Sequence, residues 1–353
     1  MTSLTEIYTN QKDLNDLCQD RLLQTNEIFP GNAYYGNDLI LKTYAGLPRS
    51  YPLKVVIPHG IYLDPNFIWI AEQKSPLPAI LNYSDFRKNV VSRKTSKFVI
   101  SSSSPFLFLT KLLEGKQNSS REGTIFFPAH STHYVTVSMN YKTLADELEN
   151  LDDEYKPVTV CMYWRDVNLG YHLPFLEKGF LVVSAGHIYD PYFLYRFYDL
   201  CNKHVYSSGN NFGSHIFYSI KAGCSYFHLD SIKYNVHTGS DTHKNDISGI
   251  PKFLHNYFLS LFSEPHRYTK KDQLDFVDYF LGTKYLKRPH ELRKQLLYAE
   301  LLDKIGIVVW NKGYPKKMVF PPFLKRCEIS FMGTSKRAFS KFKNYFDNLP
   351  DEK

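Results

Sequence analysis

The sequence predicts an α/β protein, with two successive parallel sheets followed by a helical C-terminal part. Three observations carry this. Short runs of β-branched and aromatic residues alternate with amphipathic segments over most of the chain, the pattern of strands joined by helical crossovers. A polar stretch, EGKQNSSREG at 114–123, divides these runs into two series. From about Ile250 onward the periodicity is mainly helical.

Residues 1–30 read as a helix-forming lead-in, with leucines and isoleucines at helical spacing. In the first series DLILKTYAG, LKVVIPHG, FIWIAEQ, PAILNYS and SKFVISSSS are five expected strands between Asp38 and Ser104. Several end in Gly, Ser or Pro, as strands running into ligand-facing loops do. In the second series GTIFFPAHS, PVTVCMYWRDV, GFLVVSAGH, KHVYSSGNN and GCSYFHLD are strand-like. Amphipathic YKTLADELENLDD, LPFLEKG and DPYFLYRFYDLCNK lie between them. Two Rossmann-like domains facing a cleft are therefore expected, at 1–114 and 123–250, with a helical extension over 251–353. The last helix of that extension, SKRAFSKFKNYFDNL, is expected to pack back on the first domain.

Composition narrows the class. At 353 residues, 43% hydrophobic and 22% charged, the chain can bury two cores of an ordinary globular kind. No apolar run reaches the ~18 residues needed to span a bilayer. The N-terminus lacks the basic start and apolar core of a signal peptide, so a cytoplasmic protein is expected. The cysteines are scattered without a C-x-x-C pair, which argues against a disulfide framework or a structural zinc. Residues 312–343 concentrate Lys and Arg, interleaved with Phe, against Glu328 alone. That stretch is either a solvated basic face or a contact for an anionic membrane surface. No nucleic-acid-binding module accompanies it, so no nucleic acid partner is expected.

Four expected strand ends carry chemistry. After HVY come Ser207, Ser208, Asn210, Asn211, Gly213 and Ser214, then a helix closed by Gly223. Small polar residues at a helix start suit a phosphate, met by free amides and hydroxyls; a simple helix cap uses the same residues. After TIFF come His130, Ser131 and Thr132, three donors at one strand end. In VVIPHG, His59 suits a general base near neutral pH, with Glu72 and Asp85 as rival carboxylates. Arg165 and His187 follow two further strands, where Arg165 can clamp a phosphate or hold Asp166. No metal-binding pattern, Walker sequence, dinucleotide fingerprint or nucleophile elbow is present. Metal, ATPase, dehydrogenase and common hydrolase chemistries are therefore disfavoured.

The succession PHG at 58–60, PAHST at 128–132 and SSGNNFGSHIFYSIKAG at 207–223 resembles the GT-B glycosyltransferases, in particular members of bacterial capsule and O-antigen assembly that use nucleotide sugars such as CMP-sugars. The resemblance covers about residues 50–230. It implies that His130, Ser207, Ser208 and Ser214 contact a nucleotide-sugar donor and that His59 is the base. The acceptor it implies is a glycan or lipid-linked saccharide. No cofactor is implied beyond the donor itself. The family's usual His-Pro pair is replaced here by His130-Ser131. A polyol-phosphate transferase, a non-catalytic nucleotide- or glycan-binding protein and a sugar-nucleotide epimerase are the alternative readings.

Overall fold

The computed structural model describes residues 13–64, 66–115, 120–133, 135–231, 233–238 and 250–304. The basic stretch 312–343, the final expected helix and residues 1–12 of the lead-in lie outside these residues; of residues 13–27 only Leu14–Cys18 is helical.

The second series of strands forms one five-stranded parallel sheet. It comprises β4 (Thr124–Phe127), β6 (Val158–Cys161), β7 (Leu181–Val183), β8 (Tyr206–Gly209) and β9 (Ser225–His228), in the order β7-β6-β4-β8-β9. This is the Rossmann-type order, 3-2-1-4-5 in chain sequence. Strands β4, β6, β8 and β9 are buried at every position, as strands covered on both faces must be. Their covering helices show why the sequence folds so. Helix Tyr141–Glu149 buries Tyr141, Leu144, Ala145 and Leu148, and helix Phe193–Cys201 buries Leu194, Phe197, Tyr198 and Cys201. Both sets repeat at i, i+3, i+4, i+7, one stripe of an α-helix. Asn140 caps the first of them, its side chain accepting from Thr143 N–H at 3.0 Å.

The first series gives three strands, not five. β1 (Val55–Val56), β2 (Ala79–Asn82) and β3 (Phe98–Ser101) pair in parallel in that order. The expected strand DLILKTYAG is instead helix Asn37–Ala45, ended by Gly46 in the left-handed region at φ +66°. Its run of apolar residues reflects burial between helices, with Leu39, Ile40 and Leu41 all buried. A short apolar run cannot by itself separate a buried helix from a buried strand. FIWIAEQ is likewise no strand; it ends in helix Ile70–Lys74, with Glu72 facing inward. A pairing absent from the sequence reading joins β5 (Val135–Ser138) to β10 (Asn235–Thr238), antiparallel.

The helical part from 250 binds the two sheets together. Helix Lys271–Leu281 lays Phe276 against Phe217 of helix Ser214–Lys221, with ring centroids 5.8 Å apart. Helix Pro289–Lys304 then returns to the first sheet. Gln295 Nε2 donates to the Ser101 carbonyl at 2.9 Å, and Lys54 pairs with Asp303 at 2.9 Å. All described residues belong to one compact unit.

A buried charge network fixes the entry to the first sheet. Lys42 Nζ lies 2.5 Å from Glu27 Oε1 and 2.8 Å from Asp38, with Lys42 and Glu27 both buried. Glu27 also accepts from Asn32 Nδ2 at 3.0 Å and from Leu53 N–H at 3.2 Å. Lys42→Met should therefore cost about 3–5 kcal/mol in urea unfolding, because it strands the Glu27 carboxylate. Adding Glu27→Gln should recover most of the loss.

Candidate functional site

The chain builds outward from β4 to β6 and β7, then crosses back to place β8 and β9 on the other side of β4. The loops leaving β4 and β8 therefore diverge, opening a crevice at their carboxyl ends where open α/β sheets bind ligands. Asn210 spans the gap, its Oδ1 accepting from Ala129 N–H at 2.7 Å. Gly209 can have no side chain, since a Cβ there would lie 2.8 Å from the Phe127 carbonyl and 3.0 Å from His215 Nε2. The loop after β1 closes on the same crevice. Ile61 N–H donates to Ser214 Oγ at 2.9 Å, and a Cβ on Gly60 would lie 3.0 Å from that oxygen.

His59 is half-buried at this junction, and its Nδ1 has no hydrogen-bond partner. Burial, with the charge of His130 added, lowers it to about 4, so the ring is neutral at pH 7 with a free lone pair. The rings of Tyr34, Tyr35, Tyr62 and Trp69 surround it at centroid distances of 6.3, 6.0, 6.2 and 5.5 Å. Glu72 holds the loop in place. Its Oε1 accepts from His59 N–H at 3.0 Å and from the Tyr62 hydroxyl at 2.6 Å. Burial raises the Glu72 pKa, against the Tyr62 hydrogen bond and the nearby Arg87 charge. Asp85 takes no part here; its carboxylate is engaged by Lys284 and the Tyr285 hydroxyl, which tie the first sheet to the C-terminal helices.

The second sheet contributes His130, whose Nδ1 faces the Ser131 carbonyl at 3.2 Å and whose ring lies 4.4 Å from Tyr163. Donation from Nδ1 leaves Nε2 as the acceptor. Ser208 Oγ, Asn211 Oδ1 and Arg165 Nε are buried atoms without a partner. Gly213 precedes helix Ser214–Lys221 in extended conformation, and a Cβ there would lie 2.9 Å from His215 Nδ1.

Several expected donor contacts are committed elsewhere. The Ser207 hydroxyl donates to Ser219 Oγ at 2.9 Å and ties β8 to the helix above it. Ser131 Oγ accepts from Val137 N–H at 3.0 Å, while its own N–H meets the buried Asp166 carboxylate at 3.1 Å. Thr132 Oγ1 accepts from Val135 N–H at 3.3 Å. Ser214 Oγ accepts from Ile61 N–H, as above. His187 is wholly buried beneath the Trp164 ring, at a centroid distance of 4.0 Å.

The sequence reading missed His215. Its Nε2 is buried without a partner, and burial first, then the His130 and His228 charges, lowers it to about 3. The signal was the pair of glycines at 209 and 213, both needed to make room for this ring.

Asp20, His133 and His187 bring one ligand atom each within 4.8 Å of one another, a spacing that could hold a metal ion. The hydrogen bonds of His187 disfavour that use. Its Nδ1 accepts from Tyr189 N–H at 3.1 Å, so Nε2 carries the proton that it shares with Asp20 at 3.2 Å. Coordination through Nε2 would need the ring deprotonated a second time. An open groove of about 1890 Å³ runs along the outer edge of β7 and is lined by none of the crevice residues. Among the described residues no helix is long and apolar enough to cross a membrane. Neither a protein-family model nor a curated protein matches the chain.

Burial holds His187 at about 4 when folded, against ~6.5 when unfolded. Between those values only the unfolded chain takes up the proton, so stability falls as the pH drops from ~6.5 to ~4. His187→Gln should remove that contribution. Its loss of unfolding free energy between about pH 7 and about pH 4 should be smaller than the wild type's by roughly 3 kcal/mol.

Proposed function

We propose that this chain is a glycosyltransferase of GT-B architecture. It would move a sugar from a nucleotide-sugar donor to a glycan or lipid-linked acceptor in cell-surface polysaccharide assembly. The observation that carries the reading is the set of partnerless polar atoms on residues that line this crevice from both sheets: His59 Nδ1, Asn211 Oδ1 and His215 Nε2. Buried polar groups are normally satisfied, so exceptions gathered at a strand-order reversal suit a polar ligand. The return of helix Pro289–Lys304 to the first sheet supports two halves working as one unit.

In this reading the donor phosphate lies at the start of helix Ser214–Lys221, where free amides and the helix dipole favour an anion. His130 and His215 face it. An adjacent anion stabilises the protonated form of His215 and raises a pKa that burial has lowered, so charge on the departing phosphate is met by side chains and amides without a metal. His59 Nδ1 takes the proton of the attacking acceptor hydroxyl, and Glu72 keeps the His59 loop in register. Residues 312–343 remain the proposed contact with an anionic membrane surface on the cytoplasmic side.

The pKa of about 4 at His59 favours a second reading, a nucleotide-binding protein without turnover, because so weak a base removes a hydroxyl proton poorly. Thermal shifts with CMP, UMP, GDP, UDP, CDP and AMP, with and without magnesium, test the shared premise. One nucleotide should stabilise the protein equally in both conditions, by ~2.7 kcal/mol at one hundred times its Kd. His215→Ala and Asn211→Ala should remove that shift, and no shift with any nucleotide would sink both readings. His59→Ala then separates them. The transferase keeps its nucleotide shift but loses the slow hydrolysis of the matching nucleotide sugar, whereas the binding protein shows no hydrolysis to lose.

A further inference from the structure

Among the described residues, Tyr35 is the one non-glycine in the left-handed region, at φ +60°. A bulky side chain holds that conformation only where its surroundings fix it, and such sites gather around function. Here the surroundings do fix it. Tyr35 N–H donates to the Ile188 carbonyl at 2.7 Å, and its ring lies 4.8 Å from that of Phe193. The next residue, Gly36, presses so closely on Pro191 that a Cβ would lie 1.9 Å from its carbonyl oxygen.

The strained backbone aims the Tyr35 ring into the crevice, between the two candidate histidines. Its centroid is 6.0 Å from that of His59. Its hydroxyl is 3.4 Å from the hydroxyl of Tyr163, whose ring in turn lies 4.4 Å from His130. Hydroxyl pairs bonded firmly to each other sit at about 2.5–3.0 Å. At the observed separation the two phenols are only loosely coupled, and each keeps bonding capacity for a third oxygen. Burial raises the pKa of both, so both remain protonated and able to donate at neutral pH. Beside them stand half-exposed Tyr34 and Trp69, with centroids 6.2 Å apart. Two adjacent phenols next to flat apolar rings match a ligand with neighbouring hydroxyls on its edge and C–H bonds on its face.

We propose that the Tyr35 and Tyr163 hydroxyls bind two neighbouring hydroxyls of a pyranose ring held beside His59 and His130, with Tyr34 and Trp69 against its C–H face. This rests on the sugar-transfer reading and specifies which groups recognise the sugar. Gly36 and the left-handed Tyr35 are then explained as the backbone that delivers one of the two phenols.

The test is saturation-transfer NMR on the full chain, with methyl glycosides of galactose, mannose, N-acetylglucosamine and N-acetylneuraminic acid, alone and with CMP. Wild type is compared with Tyr35→Phe and Tyr163→Phe, which keep the rings and the backbone and remove only the hydroxyls. At least one glycoside should bind wild type, and each variant should bind it about tenfold more weakly. The melting temperature and any nucleotide-induced shift should stay at wild-type values. No saturation transfer from any of the glycosides to wild type overturns the proposal, as does unchanged affinity in Tyr35→Phe. Loss of sugar binding together with a lowered melting temperature assigns Tyr35 to the scaffold and overturns it too. If wild type binds a glycoside and shows no nucleotide shift, the sugar subsite stands and the nucleotide reading fails.

Discussion

The reversal of strand order between β4 and β8 is the constraint on which the rest of this structure depends. Because the crossovers from β4 and β8 leave in opposite directions, the loops at those two strand ends are held apart. The gap is then filled by small, close contacts that tolerate little change. Asn210 bridges it to Ala129, Gly209 gives up its side chain to His215, and the His59–Gly60–Ile61 turn enters from the first sheet to meet Ser214. A side chain at Gly60 or Gly209 would press on one of these neighbours, so the glycines are packing requirements of the crevice and not merely flexible points.

The same burial sets the electrostatics. His59 and His228 are lowered to about 4 and His215 to about 3, in each case mainly through loss of water. A neutral His215 ring avoids the repulsion that a cation there would meet from His130 and His228. An anion in the crevice reverses the balance, since it favours protonation of the rings that face it. Proton uptake and anion binding are therefore linked here by ordinary thermodynamics. Asp166 extends the arrangement below the crevice, holding the Ser131 backbone and contributing its charge near His130.

Much of the second sheet was legible in the sequence because fully buried parallel strands must be continuous apolar or small-residue runs. TIFF, VTVC and SYFH have no other easy home, and their covering helices repeat at helical spacing. The first series was harder. DLILKTYAG carries the same kind of run, but it is a helix, buried by other helices and anchored through the Lys42–Glu27 pair. The β5–β10 pairing was not legible, since strand partners so far apart in the chain are chosen by the fold and not by local pattern.

What the sequence determined by itself was the α/β class of the fold and the segments that line the crevice, because both follow from local residue chemistry: apolar periodicity, and small polar residues at strand ends. Tertiary structure alone decided which atoms are free to act. Ser207, Ser131 and Ser214 look the same in sequence as Ser208, yet packing has the Ser207 hydroxyl donate to Ser219 and the Ser131 and Ser214 oxygens accept from Val137 and Ile61 N–H, and leaves the Ser208 hydroxyl without a partner. Asp85 was as good a base as His59 on paper until Lys284 and Tyr285 engaged it. A hydrogen-bonding group has few bonds to give, and the competition for them is settled by neighbours distant in the chain.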